Sequence, residues 1–488
     1  MGGNSECIAA LRKLIPGTWF VEDNKNVNIP PVNGSTKKTV AVIDAASWMY
    51  TATETLGDLA NKSVARINTI AQLPDVEMIF FAHDRKTPPP KYALKIELSE
   101  TVSTPPEGVD VFFARMISSS KQALDKIGTN GLKHTMDEGT IVLNKDFASK
   151  ILSNRHLKEW VARYICQKVF EKVEIKAHQK LFVTGPNYER YRIGTNNTDF
   201  PSKISLNYLE ADYFGSYIAN LYSKTHDVVV YSIDTDTVLS LLLSWDRVRL
   251  PVSENPDKRA IDGIRFTNNV RVVRAWKRTG TPLQYIDIHE LWKAIAMRGI
   301  ELSQYHGVPK PKYTVATFVT IMTFCGNDYV RKPSNISVLK VLESYHRHCA
   351  ELCGPLIQEG NSPSEFKLNC AAMLQLILFA YNDKKNRAGA FEDMQKEFEI
   401  IASECREEQR QFMTLKDMRL RCANTVWFMQ YMLAQQTATS PPIGFETTKE
   451  GVSIFGYKRT SPTMTRLGWD AVCQDNNVDL SSFDLKCN

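Results

Sequence analysis

Residues Val228–Leu243 read VVVYSIDTDTVLSLLL, an apolar run with two aspartates near its middle. A β-branched stretch such as Val228–Ile233 is what a strand buried on both faces looks like. Thr237–Leu243 then resumes as an apolar segment of helical length. A charge left in a core is costly unless it is paired or bound to metal. Placing Asp234 and Asp236 at the strand's carboxyl end avoids that cost, because open parallel sheets bind their ligands there. Two residues apart on an extended chain, the carboxylates point the same way, which suits a cation. They equally suit a helix cap, with Asp234 or Asp236 as the N-cap residue. The stretch alone leaves both readings open.

Upstream, TVAVIDAASWMY carries a β-rich run, Thr39–Ile43, with Asp44 at its end, and a helix is expected over Ser47–Gln72, closed by Pro74. A second strand, VEMIFFAHDR, ends at Asp84 and meets KTPPPKY, whose three prolines take the chain out of the sheet. Residues 95–205 read as a mostly helical insertion, with a turn at Thr104–Gly108. Leu209, Tyr213, Ile218 and Leu221 give Leu206–Tyr222 helical spacing. Residues 247–278 read as a basic hairpin-like region. Tyr313–Phe324 is apolar and ends at CGNDY; Val338 to about Leu433 reads as helical, and the last fifty residues as irregular or short-stranded. Strands alternating with helices argue for an α/β layer with a parallel sheet flanked by helices. Since 488 residues are long for one core, a domain over 1–345 and a mostly helical region over 346–488 are expected.

Apolar content of 43%, charged content of 23% and a net charge of +6 fit a soluble, mildly basic globular protein. No secretory leader or membrane-length apolar run is visible, and Glu6 stands where myristoylation needs Ser or Thr. The ten cysteines include no CxxC pair, and Cys349 and Cys353 suit core packing better than zinc. An intracellular, reduced protein without structural metal or membrane contact is expected.

Taken together, the acidic groups form a pattern. Asp44, Asp84 and the pair Asp234/Asp236 end three strands; Glu210 and Asp212 begin the helix before the third, and Asp328 follows an apolar helix in GNDY. Strand-end aspartates of a parallel sheet converge on one edge, where seven uncompensated acids would repel severely. The economical occupant is Mg²⁺ or Mn²⁺, which takes oxygen ligands. Glu210 and Asp212 diverge in angle on an ideal helix, so one of them belongs on the loop or acts through water. Carboxylates without a glycine-rich phosphate loop point to two-metal phosphodiester hydrolysis. Lys91 and Lys95, beyond Asp84, are candidates to hold the strand or else solvated surface lysines.

In order, Met1-Gly2, VIDA at Asp44, FFAHDR at Asp84, LEAD at Glu210/Asp212, IDTD at Asp234/Asp236 and GND at Asp328 resemble flap endonucleases and the wider XPG-type 5′-nucleases. The likeness covers roughly residues 1–345 as ordered landmarks. It implies a PIN-like α/β fold, with the insertion as an arch for a single strand. It makes Asp44, Asp84, Glu210, Asp212, Asp234, Asp236 and Asp328 carboxylates of a site for two ions. It also makes Lys91 a contact to the scissile phosphate and brings Gly2 near the nucleic acid. After GNDY the chain runs VRKPSNISVLKVLESY, without the family's glycine-rich helix-two-turn-helix, and no PCNA-binding motif of the Q-x-x-L-x-x-F-F type closes it. In these departures it is similar to divergent members from poxviruses and other large DNA viruses, and GND also resembles 5′→3′ exoribonucleases.

Between Lys121 and Arg192 there are 14 Lys/Arg against 8 Asp/Glu. Lys168, Lys172 and Lys176, at i, i+4 and i+8, would share a helix face able to contact phosphates. Tyr164, Phe170, Phe182, Tyr188 and Tyr191, interleaved with cations, fit either a stacking groove or ordinary buried aromatics. In RFTNNVRVVRAWKR, Arg271 or Lys277 is placed on phosphates or on a solvated edge strand; Arg331 and Lys332 join the candidates. The expected activity is a metal-dependent, structure-selective 5′-nuclease acting on flap, gapped or branched DNA, in repair, recombination or replication. The alternatives are a 5′→3′ exoribonuclease and a non-catalytic nucleic-acid scaffold. A nuclear location and a viral replication compartment are equally compatible.

Overall fold

The computed structural model describes residues 5–23, 37–50, 53, 55–85, 155–186, 188–204, 206, 208, 210–247, 269–275, 283–305, 314–327, 330, 333, 335–359, 366–385 and 393–410, individual residues between 413 and 432, and 446–448 and 451–453. Nine described strands join one sheet: β1 (Phe20–Asp23), β2 (Thr39–Asp44), β3 (Val76–Ala82), β4 (Lys180–Gly185), β5 (Tyr188–Ile193), β6 (Asn196–Thr198), β7 (Asp227–Tyr231), β8 (Val270–Ala275) and β9 (Leu283–Asp287). Their spatial order is β1-β9-β8-β7-β2-β3-β4-β5-β6. The sheet is mixed rather than parallel throughout. The central strands β8, β7, β2, β3 and β4 are parallel, while β9 and β1 on one side and β5 and β6 on the other are antiparallel.

Two consecutive parallel connections, β2 to β3 to β4, run one way across the sheet. The chain then returns to the other side of β2 for β7 and β8. The strand order therefore reverses between β2 and β7, and such a switch point opens a crevice at the carboxyl ends of the strands.

Alternation along each central strand divides the core into two layers. Val40, Val42, Phe80, Val228 and Val230 face one layer, and Ala41, Ile43, Ile79, Phe81, Val229 and Tyr231 the other. Helices α2 (Leu56–Ala71) and α3 (Arg155–Lys172) cover the second layer. The first is covered by α1 (Ser5–Leu14), α4 (Ala211–Tyr222), α5 (Thr235–Arg247), α6 (Ile288–Tyr305), α7 (Val315–Phe324), α8 (Val338–His348), α9 (Cys370–Lys385) and α10 (Met394–Ser403). Leu342, Leu374 and Phe398 belong to the same buried cluster as Val42 and Phe80, so this packing runs through the boundary expected at residue 345. Among the described residues no helix is long and apolar enough to cross a membrane.

Two expected elements move. The helix placed over Ser47–Gln72 is a short 3-10 turn, Ala45–Tyr50, followed by α2. Thr55 accepts from the Asp58 amide at 3.1 Å while Asp58 accepts from the Thr55 amide at 3.1 Å, a capping box that starts the helix there. The insertion expected to be mostly helical over 95–205 contains β4, β5 and β6. Gly194, at φ 53°, turns β5 into β6, and the Ala177 backbone lies 3.0 Å from where a β-carbon would stand.

Candidate active site

The carboxyl ends of the parallel strands collect the acidic residues. Asp44 is the last residue of β2, and Asp84 follows β3 by two residues. Ser232 and Asp234 lie in the turn after β7, and Asp236 sits in the first turn of α5. Glu210 is the N-cap residue of α4 in an extended conformation, and Asp212 lies in its first turn. Because the helix begins between them, the angular divergence of an i, i+2 helical pair does not apply.

Helix α4 rides close to the sheet. A β-carbon on Gly215 would meet Val230 Cγ1 at 3.2 Å, so the glycine permits an approach that carries Asp212 over the strand ends. The segment before α4 is latched to β3. The Ala211 amide donates to Asp84 Oδ1 at 3.1 Å, the Tyr208 hydroxyl donates to the His83 carbonyl at 3.1 Å, and Arg85 Nη1 donates to the Leu206 carbonyl at 2.7 Å. Arg85 also pairs with Glu189 and lies over the Tyr208 ring.

Ser232 stands between two carboxylates, with Oγ 3.1 Å from Asp44 Oδ2 and 3.2 Å from Asp212 Oδ1. Thr237 Oγ1 donates to Asp212 Oδ1 at 2.6 Å and lies 2.9 Å from Ser232 Oγ. A hydroxyl carries one proton, so Ser232 can donate to only one carboxylate at a time. With Thr237 donating to Asp212, the Ser232 proton is left for Asp44, and the two hydroxyls together serve both carboxylates. Burial, with Asp84 and Asp234 nearby, pushes the Asp44 carboxyl up to about 7. Burial and the charges of Asp44 and Asp234 push Asp212 well above the usual carboxylate range, and burial raises Asp234 too.

Among the described residues, two side-chain cations act on this group. Lys158, on the first turn of α3, places Nζ 3.8 Å from Asp84 Oδ2, and Arg274 acts on Asp234. His83 is buried, which lowers its pKa to about 3 and keeps it neutral. Among the described residues no three acidic, histidine or cysteine side chains stand ready-made around one coordination point. The donor set is nonetheless hard oxygen throughout, and its raised carboxyl pKa values express a deficit of positive charge that a divalent cation would relieve. On that observation the residues fit Mg²⁺ or Mn²⁺.

Asp234 takes the cap role left open by its sequence and also stands close enough to the other acids to act on them. Its Oδ1 accepts from the Asp236 amide at 3.1 Å, capping α5, while its carboxylate raises the pKa values of Asp44 and Asp212. Asp236 and Glu210 are buried beside it. Gly2, Lys91, Lys95, Lys277, Asp328, Arg331 and Lys332 lie outside the described residues.

The described cations and aromatics divide among the readings that the sequence left open, with Arg271 and Lys176 outside them. Arg271 is not on an open face: it is buried, with Nε 3.2 Å from Asp287 Oδ2 and the guanidinium over Tyr285. Its strand is interior, between β7 and β9, so its side chain needs an internal partner. Helix α3 ends at Lys172, so Lys176 does not share its face. Lys176 Nζ instead donates to the carbonyls of Gln72 and Leu73, at 3.1 and 3.0 Å, just past the end of α2. Lys172 is exposed, and Lys168 lies over the Tyr164 ring. Phe182 and Tyr191 do not line a groove. Phe182 is stacked between Phe80 and Tyr191 in the core, while Tyr164, Phe170 and Tyr188 pack against the layer under α2 and α3.

Ser232, Thr237, Lys158 and Tyr208 are site residues that sequence reasoning did not single out. The two hydroxyls flank the paired aspartates as S-I-D-T-D-T, a readable signal. Lys158 and Tyr208 reach Asp84 and His83 only through the fold. No protein-family model matches this chain, and no curated protein does.

Proposed function

We propose that the chain is a divalent-metal-dependent 5′-nuclease that hydrolyses phosphodiester bonds of DNA flaps, gaps or branched ends. The observation that carries this reading is the meeting of Asp44, Asp84, Asp212 and Asp234 at the switch point of the sheet, two of them bridged by Ser232. The strand order around that point and the acidic landmarks also support a PIN-like fold. Asp44, Asp84, Glu210, Asp212, Asp234 and Asp236 would hold Mg²⁺ or Mn²⁺. When bound, such ions polarise the phosphodiester and make water nucleophilic near neutral pH.

The chain's own residues do the rest. Ser232 and Thr237 fix the rotamers of Asp44 and Asp212, so that oxygen donors are oriented before substrate arrives. Lys158 brings positive charge beside Asp84, where the phosphate backbone must pass a strongly acidic group. Asp234 closes the first turn of α5 and keeps Asp236 at the crevice.

The test is cleavage of 5′- and 3′-labelled flap DNA in Mg²⁺ beside single-stranded RNA. Junction-proximal cuts that disappear in chelator and in the Asp234→Asn protein are expected, with nucleic-acid binding by that variant retained. Full turnover in chelator, or mononucleotides released from RNA alone, would overturn the reading.

A further inference from the structure

Helices α4 and α5 lie side by side, and three polar pairs form a ladder along their contact. Asp212 meets Thr237 at 2.6 Å, Ser216 Oγ meets Ser240 Oγ at 2.9 Å, and Asn220 Nδ2 donates to Ser244 Oγ. On α4 the positions are i, i+4 and i+8; on α5 they are i, i+3 and i+7. Both series keep one face, so the rungs climb in step from the acidic site toward the far ends of the helices. Thr237, Ser216, Ser240 and Ser244 are buried, among Phe214, Ile218, Val238, Leu239, Leu242 and Leu243.

Stability does not account for such a ladder. Replacing both partners of a buried hydrogen bond by apolar groups of similar shape is nearly neutral or stabilising. A polar pair in an apolar contact does, however, select one register. Advancing α4 by one residue turns its face by about 100° and breaks every rung, and a full-turn slip leaves at least one hydroxyl against apolar side chains. Asp212 occupies the first rung, so the register of α4 is also the distance of its carboxylate from Asp44 and Asp234.

We infer that the Ser216–Ser240 and Asn220–Ser244 pairs are positioning residues, which set the axial register of α4 and so hold Asp212 where it shares a cation with the strand-end aspartates. This rests on the metal-dependent reading above. The ladder acts through Asp212 and touches neither substrate nor ion.

The test is the double variant Ser216→Ala/Ser240→Ala, which leaves Asp212 and Thr237 in place. Mn²⁺ and Mg²⁺ binding is measured by titration calorimetry, thermal stability in chelator, and flap cleavage across a metal series. Expected are a melting temperature unchanged within a few degrees or raised, metal affinity lowered at least about 10-fold, and cleavage that largely recovers at saturating metal. Asn220→Ala/Ser244→Ala, one turn further from the site, should show a smaller loss of affinity. Wild-type metal affinity in both variants would overturn the inference. A large fall in melting temperature in both would do so as well, because the ladder would then be a stability element. Wild-type protein that binds no divalent ion defeats the metal-dependent reading itself, an outcome distinct from either.

Discussion

Replacing Asp44 by asparagine should make the metal-free protein more stable above neutral pH. In the folded chain this carboxyl gives up its proton near pH 7 instead of 3.8. Each tenfold rise in proton affinity corresponds to about 1.4 kcal/mol, so forcing the charge into the crevice costs on the order of 4 kcal/mol. The sign follows from proton counts. Between pH 3.8 and about 7 the folded chain holds a proton that the unfolded chain has lost, so wild-type stability falls as pH rises through that window. Asparagine carries no such penalty. Its carbonyl still accepts from the Ala46 amide, which donates to Oδ1 at 3.1 Å in wild type, and its amide can donate to Ser232 once that hydroxyl turns round. Allowing about 1 kcal/mol for the rearranged bond leaves a net gain of about 3 kcal/mol at pH 8, shrinking to nothing near pH 4. Saturating magnesium should reverse the ranking, since a ligand at 1,000 times its Kd adds about 4.1 kcal/mol to a protein that binds it. The assay is denaturant melting from pH 4.5 to 8.5, in chelator and then in Mg²⁺. An Asp44→Asn protein less stable than wild type at pH 8 in chelator would mean that Asp44 is a structural acceptor, and the reasoning would fall.

Lys168→Ala/Lys172→Ala should weaken binding to DNA of any sequence and flatten its salt dependence by up to about two units of slope; an unchanged slope returns both lysines to plain surface. Lys176→Ala should leave that slope alone and lower the melting temperature, because its partners are carbonyls at the end of α2. Gln179→Ala should destabilise by about 3 kcal/mol in a urea melt: its buried amide donates to the Ala71 and Val76 carbonyls at 2.7 and 2.8 Å, and a loss under 1 kcal/mol would refute that role. Asp287→Ala removes the carboxylate paired with the buried Arg271 guanidinium and the acceptor of the Glu290 amide, and should cost about 3 kcal/mol; unchanged stability would show that the pair is solvated.

The strands that carry the acids were legible because they are buried on both faces and therefore read as unbroken, valine-rich apolar runs, as in Val40–Ile43 and Val228–Tyr231. Their order in the sheet was not, because it depends on partners up to 188 residues away, the separation of Asp44 and Ser232. The strands β4 and β5 were missed for a local reason. KLFVTG and YERYRI are short and embedded among cations, and charge drew attention to a binding surface where the aromatics serve the core. Lys168, Lys172 and Lys176 illustrate the limit of periodicity. Their spacing is helical throughout, yet α3 stops at Lys172, and nothing in the spacing marks that end. Arg271 alternates with valines as an edge-strand cation would, and only the placement of β9 beside β8 reveals its carboxylate partner.

Central strand β2 is completed on one side by β3 and on the other by β7, which begins 183 residues after β2 ends. During synthesis, then, Asp44 and Asp84 emerge long before Ser232, Asp234 and Thr237, and the crevice has no second wall until α5 has left the ribosome. Parallel pairing over such separations is slow, and the half-made sheet exposes the unpaired edge of β2 in the meantime. A nascent chain stopped before residue 227 should lack the second wall of the acidic crevice and be prone to self-association, so the site is completed late, and as a unit, with the docking of β7 and α5.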